Sequence, residues 1–286
     1  MDPVLEDLLM LMTLEQIEEH KFRGASRDIG TPQVFGGQVL GQALYAAGQT
    51  VDSDRLPHSL HAYFLRRGDV QAPIVYEVDR ARDGASFSNR RIVAIQHGRP
   101  IFNMAASFQK EEQGVEHQAE MPEVPGPDGL ADRSDVDEAV LAQLHEKMRA
   151  YLTRKRPFMV RPVRQPDFLH PEKLEPVKHV WIRAVDNLPD DPVLHQILLV
   201  YVSDYELLGT ATLPHGISFT SSKTKMASLD HAVWFHHRFR IDEWLLFAFD
   251  SPVTSGARGL ARCMVFTKDG KLVASSAQEG LIRVRG

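Results

Sequence analysis

At 286 residues with 43% apolar composition, the chain can bury one large core or two ordinary ones without crosslinks, which places it among globular proteins. A formal net charge of -5 and an isoelectric point near 6.2 give no overall basic footprint for nucleic acid or an anionic membrane. The single cysteine, Cys263, excludes an intrachain disulfide framework and cysteine-based zinc sites, and no metal or other cofactor is implied.

The first fourteen residues place Leu5, Leu8, Leu9 and Met12 at helical spacing and lack the basic start and long apolar run of a signal peptide. No apolar run approaches the roughly 18 residues a membrane span needs. The C-terminal Arg283-Val284-Arg285-Gly286 matches neither a peroxisomal nor an endoplasmic-reticulum address, so a cytoplasmic protein is the expectation. Residues 33–47 predict a helix that starts at Gly36-Gly37 and carries small residues for close packing on a sheet. Strand-like runs follow at 59–65, 74–82, 88–96 and 101–109, separated by turn-forming segments such as Arg82-Asp83-Gly84-Ala85. A helix followed by an antiparallel meander is an α+β pattern.

Between Lys110 and Glu138 ten acidic residues face two basic ones, with Pro122, Pro125 and Pro127 among them, which predicts a linker or surface excursion. A helix is expected at 140–152, and regular structure resumes at His179. From there to the C-terminus the chain repeats its first half. Gly37-Gln38-Val39-Leu40 aligns with His195-Gln196-Ile197-Leu198, while Ser59, Ser86 and Ala105 align with Ser228, Ser255 and Ala274 at a shared offset of 169. Duplication predicts a pseudo-dimer within one chain: an N-terminal half over 1–110, an excursion over 111–176 and a C-terminal half over 177–286.

The halves differ at one acid. Residues 194–208 predict a second buried helix whose stripe of Ile197, Val200, Tyr201, Leu207 and Leu208 also carries Asp204, while the aligned residue of the first half is Ala46. A carboxylate facing a core costs several kcal/mol unless donors meet it. Asp204, Ser228 and Gln278 can form a water-activating set, with the acid taking a proton while hydroxyl and carboxamide hold the water. Spacing equally allows a structural acid, satisfied by hydroxyls and backbone amides in a packed core. His231, His236 and His237 lie close together without a metal-site spacing, and no nucleophile elbow, P-loop or dinucleotide fingerprint occurs.

Several stretches together resemble the type II (TesB-like) acyl-CoA thioesterases over nearly the whole chain: Phe22-Arg23-Gly24, Gln33-Val34-Phe35-Gly36-Gly37-Gln38-Val39, His58-Ser59-Leu60-His61-Ala62-Tyr63-Phe64-Leu65-Arg66, Arg82-Asp83-Gly84-Ala85-Ser86-Phe87, Leu188-Pro189-Asp190-Asp191, Leu229-Asp230-His231 and Gln278-Glu279-Gly280. The resemblance implies a double hotdog, each copy a long helix wrapped in an antiparallel sheet, and hydrolysis of a fatty acyl-CoA to free acid and CoA by direct attack of water. It puts the catalytic set on Asp204, Ser228 and Gln278, with serine where well-known bacterial members carry threonine. Borrowed from single-hotdog relatives, the turn at Gly37 and Gln38 is the expected substrate-binding oxyanion donor. The resemblance also implies a homo-oligomer, a dimer or tetramer, with acyl-CoA as the partner. Two alternatives are a non-catalytic acyl-CoA-binding protein and a hotdog dehydratase, which would need a histidine paired with the acid.

Overall fold

The computed structural model describes residues 1–30, 33–167, 169–217 and 224–284, apart from the side chains of 147, 148 and 151, so the end of the C-terminal motif lies outside it. Asp2 caps helix α1 (Pro3–Met12) by accepting from the Val4 amide at 2.8 Å. Two short strands, β1 (Glu15–Glu18) and β2 (Lys21–Gly24), lead to helix α2 (Gly36–Gly48). The meander continues as β3 (Arg55–Phe64), β4 (Ile74–Asp83), β5 (Phe87–Gln96) and β6 (Arg99–Lys110). Residues 111–176 hold short helices α3 (Glu138–Gln143) and α4 (Glu146–Thr153) and strand β7 (Phe158–Pro162). The expected excursion is thus not all surface chain, because β7 pairs with the next strand, β8 (Val177–Ala184). Its Met121, Val124 and Leu130 cover a small second core around Trp181 and Phe266, and the Trp181 indole donates to Pro125 O at 2.8 Å.

Helix α5 (Pro192–Ser203) opens with Asp191 accepting from the Val193 and Leu194 amides and with proline at its first position. It ends five residues earlier than the sequence spacing predicts. Every residue from His195 to Ser203 is buried, so the apolar stripe is a helix covered all round, and Leu207 and Leu208 belong to a separate turn, α6 (Leu207–Thr210). Asp204 is the C-cap between them. The second meander is β9 (Thr224–Ser228), β10 (Asp230–Phe235), β11 (Leu245–Ser255), β12 (Arg258–Thr267) and β13 (Leu272–Val284).

Among the described residues the strands join in one antiparallel sheet of order β1-β2-β4-β5-β6-β3-β10-β13-β12-β11-β8-β7, with β9 also on β13. Outward from the β3·β10 seam, both halves show the same order, each wrapped about its helix, which is the expected double hotdog. The repeat offset needs correction. Ladder irregularities recur at Asp79/Arg82 and Asp250/Val253, and at Ala94/Ile95 and Val265/Phe266, each pair 171 positions apart. The irregularity after Pro57 likewise matches the one after Ser228. With β3 to β5 shifted by 171, the ladders require 172 for β6, since the rung Arg90↔Ala106 corresponds to Ala261↔Gln278. Ser228 therefore matches Pro57, not Ser59, and Gln278 matches Ala106, not Gln109. His61 and Ala232, themselves 171 apart, face each other across the seam, so the local pseudo-twofold passes through that rung.

Candidate active site

The two central helices pack side by side and antiparallel, Gly37 against Tyr201 and Gly41 against Ile197, because glycine lets them. A Cβ on Gly37 would stand 2.1 Å from Tyr201 O, and one on Gly36 2.6 Å from an Asp204 carboxylate oxygen, so only glycine admits this approach of α2 to the end of α5. Phe35, the N-cap of α2, offers its first turn no side-chain acceptor. Asp204 supplies one from the other half: the Gly37 amide donates to its Oδ2 at 3.1 Å, at the positive end of the α2 dipole.

The other oxygen of the acid collects the remaining expected residues. Gln278 on β13 donates through Nε2 to Asp204 Oδ1 at 2.6 Å, and the Ser228 hydroxyl at the end of β9 reaches the same oxygen at 3.5 Å. Burial pushes the Asp204 carboxyl up to about 6, against the pull of Gln278, the Gly37 amide and Ser228. A buried acid poised near neutrality can both take and return a proton. Gln38 does not join the site. Its amide bonds Phe35 O at 3.1 Å, and its side chain is held by the Arg27 amide and Ala25 O, on the side of α2 that closes the fold.

His231 was legible as a motif residue but not as a neighbour of the acid. It is 1% exposed, its Nδ1 stands 3.0 Å from Gln278 Nε2 and 4.0 Å from Asp204 Oδ1, and its Nε2 meets Ser203 Oγ at 2.8 Å. Burial drives its pKa down to about 3, so the ring is neutral. The irregularity after Ser228 explains the miss. Met226 and Ser228 line a cavity and His231, Val233 and Phe235 are buried, so the inward face changes parity there, and strict alternation would send His231 outward.

Two cavities meet at the acid, sharing Asp204, Leu208, Met226 and Ser228. One, of about 420 Å³, runs into the first half between Phe35, Val39, Phe64 and Phe102, with Arg66, Arg67 and Lys225 also in its wall. The other, of about 370 Å³, lies in the second half and includes a buried ionic cluster in which Glu206 accepts from Lys178 at 2.7 Å and pairs with Arg133. Burial and the adjacent Arg133 charge lower the Lys178 pKa well below the usual range.

A family model described as "Acyl-CoA thioesterase" matches residues 149–281, and another, "Acyl-CoA thioesterase N-terminal domain", matches residues 24–109. The chain is 41% identical over 283 residues to "Acyl-CoA thioesterase 2" of Haemophilus influenzae, covering 99% of each chain. It is 41% identical over 287 residues to mouse "Acyl-coenzyme A thioesterase 8", covering 96% of this chain and 88% of that one. Among solved structures, an acyl-CoA thioesterase II TesB2 from Mycobacterium marinum matches with a TM-score of 0.79 and 41% identity, over 97% of this chain and 98% of that one.

Proposed function

The chain belongs to the type II acyl-CoA thioesterases and hydrolyses acyl-CoA, and from that premise we propose how its own residues carry the reaction. Water attacks the thioester carbonyl carbon while Asp204 takes its proton. Ser228 and Gln278 hold the water. The resulting oxyanion sits against the first turn of α2, where the proposed donor is the Gly37 amide, released from Asp204 Oδ2 once the acid has taken its proton. Collapse breaks the carbon–sulfur bond, and the proton on Asp204 passes to the leaving CoA sulfur. No covalent enzyme intermediate forms, and the carboxyl ends as it began.

The observation that carries this reading is the convergence of a Gln278 N–H, the Gly37 amide and a serine hydroxyl on one buried carboxyl with a pKa of about 6, at the junction of two cavities. Asp204→Asn keeps the shape and removes the proton acceptor, so single-turnover hydrolysis should fall by about 10²-fold or more. Folded Asp204→Asn turning over near the wild-type rate would sink the assignment. Ser228→Thr should stay active, whereas Ser228→Ala and Gln278→Ala should slow the chemical step with smaller changes in KM.

A dehydratase reading is disfavoured because both nitrogens of His231 are engaged by Gln278 and Ser203. The phenylalanine-lined cavity suits an alkyl chain, which leaves the more polar one for the CoA arm. For the domain boundary, the pairing of β7 with β8 supports a start of the second hotdog near α4 in place of 177. Cytosolic residence fits the single, buried Cys263, and cell fractionation checks it. No helix among the described residues is long and apolar enough to cross a membrane.

A further inference from the structure

Asp204 and Gln278 are not alone at the centre of the sheet, because a buried histidine closes a chain of hydrogen bonds behind them. Ser203 has a single hydroxyl hydrogen, and it goes to Val200 O at 2.9 Å. That leaves the oxygen to accept from His231, 2.8 Å away, and the Gln278 nitrogen turned to the Asp204 carboxylate also faces Nδ1, which puts the ring's proton on Nε2. The neutral ring then has a bare Nδ1, an acceptor. Gln278 can meet it at 3.0 Å only with an N–H. Its second N–H goes to Asp204 Oδ1 at 2.6 Å. The opposite amide orientation would set a carbonyl oxygen against both a carboxylate oxygen and a bare ring nitrogen.

We propose that His231 is a positioning residue: acting through Gln278, with its tautomer fixed by Ser203, it locks the carboxamide so that N–H faces Asp204 and Oε1 is left to hold the attacking water. This rests on the assignment of Asp204 as the base. The first half supplies an internal comparison. At the rung of His231 it has Leu60 and at the rung of Gln278 it has Ala106, so acceptor and amide are present together in one half and absent together in the other.

The groups facing Asp204 come from four elements: the Gly37 amide from α2, Ser228 from β9, His231 from β10 and Gln278 from β13. The nearby charges in the cavity wall, Lys178, Arg133 and Glu206, pair with one another. Losing the locked N–H removes a group that favours the ionised acid, so the acid limb of the pH profile should move upward.

The test compares His231→Leu, His231→Asn and Ser203→Ala in steady-state hydrolysis of one acyl-CoA over pH 5 to 9. His231→Leu should lower kcat about 10-fold or more with KM nearly unchanged and raise the acid limb of kcat/KM. His231→Asn carries an oxygen close to where Nδ1 stands, so it should recover most of that loss. Ser203→Ala frees the tautomer and should shift the limb in the same direction by less. A packing role predicts the reverse order, because leucine suits a buried site better than asparagine. Leucine equal to or faster than asparagine, with the limb unmoved, would overturn the proposal, and if His231→Leu does not fold, an unmoved limb in Ser203→Ala does so. Asp204→Asn, run alongside, separates the two claims: if it is inactive while the histidine variants behave as wild type, only the positioning role fails.

Discussion

Asp204 shows how one side chain can be expensive to the fold and necessary to the chemistry. Its carboxyl is raised from 3.8 to about 6 by burial, with three donors only partly offsetting that cost. Below pH 6 the base is protonated, so kcat/KM should climb tenfold per pH unit on the acid side and level off above about pH 7. The same shift has a stability consequence of definite sign. Since the native state binds the proton more tightly than the unfolded chain, wild-type stability should fall as pH rises through the window from about 4 to 6. Asp204→Asn lacks that fall, so it should be the more stable protein at pH 8 by on the order of 2–3 kcal/mol, with the gap closing toward pH 4. Urea unfolding at both pH values checks this, and an unchanged gap would mean the acid is not strained by burial. The residue was legible as a candidate because a carboxylate just after a run as apolar as 197–202 must find partners, although spacing alone equally allowed a structural acid. Its partners on β9 and β13 were legible as a chemically plausible set that family resemblance singled out, and His231 as a neighbour not at all, since one bulged residue reverses which face it takes.

At the scale of elements, the two meanders are the same structure with different side chains at matching rungs. Where the second half pairs Ala261 with Gln278, the first pairs Arg90 with Ala106. Arg90 is fully buried, and all its donors are used: Nε on Thr50 Oγ1, Nη1 on Arg82 O and Asn89 O, and Nη2 on Thr50 O and Asp83. Its guanidinium thus ties the end of α2, in the position where the second half has Asp204 beyond the end of α5. Arg90→Ala should cost about 3–5 kcal/mol, because it empties a fully buried site and strips the Thr50, Arg82 and Asn89 carbonyls of a donor, while Asp83 keeps Arg80 and Ser88 and kcat stays within about twofold. Denaturant midpoints and a kcat measurement separate the two effects, and a large fall in kcat with unchanged stability would contradict the structural role. The sequence repeat was visible, yet its register was two to three residues out. Serines and alanines recur too often in strands to fix a register, whereas bulges do so because they break the ladder at one place.

For the whole molecule, duplication provides two central helices and two matching halves of one sheet but one reaction centre. The first half has Pro57, Leu60 and Ala106 at the rungs of Ser228, His231 and Gln278, no acid between Ala46 and Thr50, and Arg90 at the rung of Ala261. Each chain should therefore bind a non-hydrolysable acyl-CoA thioether once. We also expect the chain to associate with copies of itself. Beside the pseudo-twofold rung the sheet exposes Tyr63 and Trp234, at 60% and 36% of their surface, with His61 edge-on to the indole. Association through that face would leave the helices, and hence both cavities, on the opposite side. Isothermal titration should then return one ligand per 32.2 kDa chain, whatever mass light scattering finds for the assembly. Trp234→Glu should lower that mass without altering the ligand count. Two ligands per chain would mean that the first half retains a working pocket, and a monomer mass for the wild type at micromolar concentration would remove the self-association while leaving the one-site argument intact.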